Sequence, residues 1–206
     1  IRRGLDVVLK DASIPVAERR RTFVANRIDV YIKRGPFQPS ERQALLEKLT
    51  VNDTSDQFAD CDLVIEAVFE NQMIKTKVTR EAEEYLDEYV IMATNTISIP
   101  ISTLAASSRR PANYVGLHFF PPAEQVSLVE IVKGKQTTDE TVARAFDFAT
   151  LIRKTPIVVK DVWGFYDARV QNTYILEGIT LLQEGHPPGL VENMGLQVGM
   201  PKRTLT

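Results

Sequence analysis

The sequence predicts an α/β fold: a doubly wound, mostly parallel sheet followed by the start of an all-helical domain. Three observations lead there. Short apolar runs recur along the chain, at Asp6–Lys10, Asp62–Phe69, Tyr89–Thr94, Tyr114–His118, Leu128–Val132 and Thr155–Lys160. Stretches of helical length separate most of them, and strands alternating with helices imply a parallel sheet covered on both faces. After Gly164 the alternation stops and an apolar-rich helical stretch runs on to Glu184.

In chain order, Asp6–Lys10 reads as a short strand closed by Asp11. A helix follows from about Val16 to Lys33, with Phe23, Ile28, Tyr31 and Ile32 towards one face and Arg19–Arg21 on the other. Gly35-Pro36 stops it. Ser40 and Gln43 have the spacing of a capping box for a helix through Lys48. Leu49–Asp53 reads as a strand, and Asp62–Phe69 as a stronger one, apolar enough to be buried on both faces. A charged helix over about Gln72–Tyr89 leads to the strand Tyr89–Thr94, and a short helix near Ile101–Ser107 precedes the next two strands. Thr138 or Asp139 opens a helix to Ile152, and Thr155–Lys160 is the last strand. After Gly185-His186-Pro187-Pro188-Gly189 only scraps of a further helix are expected.

Composition narrows the function. A formal charge of -2 with no basic stripe argues against nucleic acid as a partner. The single cysteine, Cys61, rules out a disulfide framework or a cysteine-based zinc site within these residues. No apolar run approaches membrane length. The chain opens on Ile1 and closes on PKRTLT, and both ends look cut.

The stretch Tyr114–Val132, YVGLHFFPPAEQVSLVEIV, is the most informative. His118 is one of two histidines and ends an apolar strand, while Glu130 lies inside another apolar run. A buried carboxylate is costly unless paired or hydrogen-bonded. A Pro-rich turn between the strands would bring Glu130 to His118, orienting the imidazole and stabilising its protonated form, as a general base requires. A purely structural pair under a loop is the competing reading.

In a doubly wound sheet, ligands sit at the carboxyl ends of the strands. Asp11 at such an end is placed to accept hydrogen bonds from an adenosine ribose and to repel a 2′-phosphate, which favours NAD over NADP. Ala67, Val68 and Glu70 close the next strong strand, with Lys75 about one helical turn beyond. That pair frames a ribose or is a solvated ion pair of little weight. Asn95 closes the strand after that, followed by Ile97 and Ser98, where small polar groups would hold a nicotinamide or a substrate carbonyl. The G-x-G-x-x-G turn that cradles a pyrophosphate is not among these residues.

Taken in order, RGLDVVLKD, DLVIEAVFEN, NTISIPISTLA, GLHFFPP, LVEIVKG and KTPIVVKD with Gly164-Phe165 resemble the L-3-hydroxyacyl-CoA dehydrogenases, especially the dehydrogenase part of multifunctional fatty-acid β-oxidation enzymes. The resemblance covers essentially the whole chain, and GLHFF with LVEIV is its most specific part. It implies residues 1–161 as a Rossmann-type NAD domain lacking its Gly-rich first βα unit, and 162–206 as the beginning of a helical substrate and dimerisation domain. It also implies oxidation of (3S)-3-hydroxyacyl-CoA by NAD, with His118 as base and Glu130 as its partner. Asp11, Ala67, Val68, Glu70, Lys75 and Asn95 are then expected at the cofactor, and Asn95, Ile97, Ser98 and Ala168 at the substrate. An acyl-CoA substrate, a homodimer or a larger β-oxidation complex, and a bacterial cytoplasm (a mitochondrion or peroxisome being the alternatives) complete the expectation.

Some positions depart from that pattern. Ile97 stands where the family usually has a hydroxyl, Pro121 follows HFF in place of Asn or Ser, Ala168 replaces a polar residue, and Val162-Trp163 precede Gly164. A short-chain 3-hydroxybutyryl-CoA dehydrogenase and a lapsed fold kept as an interaction module are the two other readings.

Overall fold

The computed structural model describes residues 1–200 and 202–205. The chain runs β1 (Val7–Lys10), α1 (Ile14–Lys33), α2 (Glu41–Glu47), β2 (Leu49–Asn52), β3 (Leu63–Glu66), α3 (Gln72–Glu83), β4 (Ile91–Thr94), α4 (Ile101–Ala105), β5 (Tyr114–Phe119), β6 (Leu128–Lys133), α5 (Asp139–Leu151), β7 (Thr155–Lys160), α6 (Asp167–Gln183) and α7 (Pro188–Gln197). No described helix is long and apolar enough to cross a membrane.

The strands form two sheets. β1 and β2 pair in parallel, and β3-β4-β5-β6-β7 form a second sheet, parallel except at β5–β6. Val8 of β1 and Val64 of β3 pack on one apolar cluster containing Phe58, Ala82, Leu86 and Leu104, so the two sheets share a core. β4 lies inside the second sheet and all four of its residues are buried. That is the environment in which an unbroken apolar run is stable as a strand. Gly116 lets α4 lie against β5: a Cβ there would stand 2.7 Å from Ile101 Cδ1 and 2.8 Å from Val132 Cβ. The NTISIP segment before α4 is thereby held beside the strand ends.

The antiparallel step matters most for function. Its register places His118 directly opposite Glu130, in the same sheet as the ends of β3 and β4.

Three local expectations are corrected. The strand expected over Asp62–Phe69 stops at Glu66, and Val68 and Phe69 are exposed. The cause is Glu66 itself, whose carboxylate captures the Val68 N–H at 2.6 Å and turns the chain. The capping box at Ser40 does not form, because Ser40 has helical backbone angles and makes no side-chain cap; Glu41 reaches back to the Gln38 N–H instead. The scraps expected after Gly189 are a full helix, α7, opened by Pro188.

Candidate active site

The His118 Nδ1 lies 2.7 Å from Glu130 Oε2, and both side chains are almost wholly shielded, at 8% and 0% exposure. Facing positions on antiparallel strands bring the two groups together without any loop having to hold them. The imidazole packs between two rings, Phe120 at 4.5 Å and Phe165 at 5.9 Å between centroids.

Glu130 is also held from behind. Its Oε1 accepts the Tyr166 and Asp167 N–H groups at 3.0 and 2.8 Å, the first free amides of α6. A carboxylate at a helix N-terminus meets unpaired donors and the positive end of the macrodipole. The chain reaches that position through Gly164 (φ 72) and Phe165 (φ 47), both left-handed. A buried phenylalanine with positive φ is uncommon, and such strain persists only where its surroundings enforce it. Here it aims two amides at Glu130 and a ring at His118. Burial pushes the Glu130 carboxyl up, but the hydrogen bonds from His118, Asp167 and Tyr166 outweigh it and its pKa lies below the ordinary value. The Asp167 carboxyl moves the other way, raised by burial and by the neighbouring Glu130 charge.

A second polar cluster stands at the ends of β3 and β4. Glu70 Oε1 accepts the Thr96 hydroxyl at 2.5 Å and the Ile97 and Ser98 N–H groups at 3.0 and 2.9 Å. Burial raises its pKa, but these hydrogen bonds, with the Lys75 charge, bring it down to about 2. Lys75 is fully buried. Its Nζ pairs with Glu66, 3.1 Å away and equally buried, and lies 3.5 Å from Glu70 Oε2. Asn95 joins the two clusters: its N–H donates to Glu66 O at 2.7 Å and its Oδ1 accepts the Phe119 N–H at 2.9 Å.

A family model described as 3-hydroxyacyl-CoA dehydrogenase, NAD binding domain, matches residues 1–162. The chain belongs to this family. Among curated relatives, the fatty acid oxidation complex subunit alpha of Shewanella amazonensis is 36% identical over 200 residues, covering 97% of this chain and 28% of that protein. The chain thus spans under a third of the length of the curated relatives it matches. Among solved structures, the (S)-3-hydroxybutyryl-CoA dehydrogenase PaaH1 of Ralstonia eutropha aligns with a TM-score of 0.94 at 33% identity, over 98% of this chain and 72% of that one. The 3-hydroxybutyryl-CoA dehydrogenase of Escherichia coli aligns with a TM-score of 0.92 at 29% identity, over 98% of this chain and 43% of that one.

NAD is therefore the cofactor class of this dehydrogenase domain, and the donor set fits it. Asp11 follows β1 with Oδ1 on the Ala12 N–H and Oδ2 on Arg20, its side chain 28% exposed. Ala67 and Val68 are exposed, and Glu70 keeps Oε2 outside its amide nest, 3.5 Å from Lys75 Nζ.

The remaining predicted residues sort themselves by geometry. Ile97 is exposed, with its N–H on Glu70. The Ser98 hydroxyl turns to Glu70 at 3.1 Å, so it joins the second cluster and not the dyad. Ala168 sits in the first turn of α6, next to the Asp167 amide that holds Glu130, and carries only a methyl group there. The solvated Lys75–Glu70 pair is corrected: Lys75 is enclosed and its nearest carboxylate is Glu66. Glu66 was missed, although a lone Glu in an apolar run is the very signal that singled out Glu130. The α6 amides had no side-chain signal at all, beyond Gly164.

Proposed function

We propose that this domain serves the NAD-dependent oxidation of a (3S)-3-hydroxyacyl-CoA to the 3-oxoacyl-CoA, with His118 as general base oriented by Glu130. The observation that carries it is the shielded Nδ1–Oε2 contact of 2.7 Å, on a carboxylate whose other oxygen is fixed by two amides. Glu130 accepts the Nδ1 proton, which leaves Nε2 as the acceptor for the substrate hydroxyl proton. As the imidazolium forms, the adjacent carboxylate stabilises it, and the anchored Oε1 keeps that charge from swinging away. Phe120 and Phe165 shield the proton transfer from water.

NAD⁺, when bound, supplies the hydride acceptor for C3. Asp11, the Ala67–Val68 backbone, Glu70 and Asn95 would hold it, and Asn95 would align the cofactor edge with the base through the Phe119 amide. Ile97, Ser98 and Ala168 border the substrate side in this reading. Residues 1–161 act as the cofactor domain and 162–206 open the helical one. Relatives named as subunits of a fatty acid oxidation complex support a place in a larger β-oxidation assembly, in a bacterial cytoplasm, with the homodimer as the alternative state.

A second reading, a short-chain enzyme, is favoured by the two 3-hydroxybutyryl-CoA dehydrogenases among the structural relatives. The complete protein, given NAD⁺ with 3-hydroxybutyryl-CoA and longer homologues, decides between them by NADH absorbance. Long chains turning over at least as fast as C4 supports the first reading, and C4 alone the second. No turnover at any length sinks both.

A further inference from the structure

Asp161, the first residue after β7, carries a carboxylate that the chemistry above does not use. Pro100 opens α4 and offers no side-chain cap, so the first amides of that helix need an acceptor from elsewhere. Asp161 supplies it. Its Oδ1 accepts the Ile101 N–H at 2.6 Å, and its Oδ2 accepts the Ser102 N–H at 2.8 Å together with the Ser102 hydroxyl. Ser102 Oγ accepts the Lys135 N–H at 2.8 Å, just beyond β6. α4 is itself fixed to the strand that carries His118, because the fully buried Ile101 lies on Gly116, two residues before the imidazole. Asp161 therefore grips a body that is packed on β5. From there the chain has few residues in which to reach the dyad. The Val162 N–H turns back to the Lys160 carbonyl at 2.9 Å, and the Phe165 N–H to the Val162 carbonyl at 3.0 Å. The Phe165 ring lies against His118, and the Tyr166 and Asp167 amides end on Glu130. The left-handed Gly164-Phe165 step falls between these two anchors, and strain of that kind persists only where both sides are held.

We infer that Asp161 is a positioning residue for the catalytic base: by holding α4 it fixes residues 161–167, which deliver two amides to Glu130 and a ring to His118. A plain cap would serve α4 alone, a helix of five residues. Asp161 acts on the dyad through the backbone that follows it, so its loss is read in the chemical step and not in the binding of either ligand. This rests on the reading that His118 and Glu130 carry the oxidation.

The test is Asp161→Asn in the complete protein, made alone and together with Glu130→Gln, with kcat and the KM for NAD⁺ and for acyl-CoA read from NADH absorbance. The variant keeps the size of the side chain and one acceptor oxygen, but its NH₂ group cannot accept the Ser102 N–H and hydroxyl. Alone, it is expected to lower kcat about tenfold, below the roughly 10²-fold that a displacement of about 1 Å costs. Both KM values should stay within about twofold. In the Glu130→Gln background the charge that Asp161 helps to place is already gone, and the further loss should be under about twofold. An equal loss in both backgrounds overturns the inference, since a general weakening of the fold acts alike in each. Unchanged kcat in a folded Asp161→Asn protein overturns it too, as does a rise in KM that accounts for the whole effect. If Asp161→Asn fails to fold, Ser102→Ala removes one donor from Oδ2. A kcat loss of about twofold to threefold that vanishes beside Glu130→Gln then supports the inference, and one that persists there, or no loss, overturns it. Absence of turnover in the unaltered protein would overturn the dehydrogenase reading and the inference with it, whereas turnover indifferent to Asp161 overturns the inference alone.

Discussion

Two buried acid–base pairs, His118–Glu130 on β5 and β6 and Glu66–Lys75 between β3 and α3, lie in one part of the fold with β4 between them and differ in their partners. In both, the carboxylate is wholly enclosed and hydrogen-bonded on each oxygen. His118 keeps a ring nitrogen free of Glu130 and sits at the margin of the enclosed region. Lys75 is sealed in and spends its donors on Glu66, a backbone carbonyl and Glu70. The lesson is that burial and a short contact do not by themselves mark a catalytic pair. What separates the two is that His118 keeps one ring nitrogen off its carboxylate, whereas Lys75 spends its ammonium on buried partners.

The sharpest break in the comparison is His118→Gln, expected to lower turnover by about 10³-fold while NAD⁺ affinity stays within about twofold. NADH absorbance and calorimetry read the two halves, and equal losses in both would place His118 in structure instead of chemistry. Next is Lys75→Met, which strands a buried carboxylate and should destabilise the fold by about 3–5 kcal/mol in urea titration. A loss below 1 kcal/mol would mean that the pair is not enclosed. Glu130→Gln keeps the shape of the dyad but removes the charge, and about a 10²-fold fall in kcat with little change in KM is expected from steady-state kinetics. If kcat holds, the anchored charge is irrelevant to the reaction.

The smallest effect is in acid. Glu70 and Glu130 have folded pKa values below their ordinary 4.5, that of Glu70 at about 2. Each therefore adds stability above about pH 4.5 that is lost as pH falls through its folded value. The thermal midpoint should drop between about pH 5 and pH 2, and drop less in Glu70→Gln, as calorimetry can follow. An identical drop in the variant would show that the amide nest adds nothing to folding.

Much of the fold was legible because each strand and most helices carry their own local signal. Thr155–Lys160 matches β7 residue for residue, and Thr138 caps α5 by accepting the Thr141 N–H. The failures come from tertiary and local hydrogen bonding that residue types do not display. β3 ends early because the Glu66 carboxylate takes up the Val68 amide, and Ser40 goes unused because its backbone is already helical while Glu41 ties to the Gln38 N–H. A pattern of residue types does not rank such competitors.

Residue by residue, the sequence determined the alternation of strands and helices and the placing of a His and a lone Glu in two successive apolar runs, since hydrophobic periodicity is a local property. Tertiary structure alone decided that the β5–β6 pairing is antiparallel and in register. It alone also set the left-handed turn at Gly164-Phe165 that aims the α6 amides at Glu130, and the closure of Lys75 over Glu66. Those depend on where chain segments far apart in sequence come to rest, and on which buried carboxylate reaches a donor first.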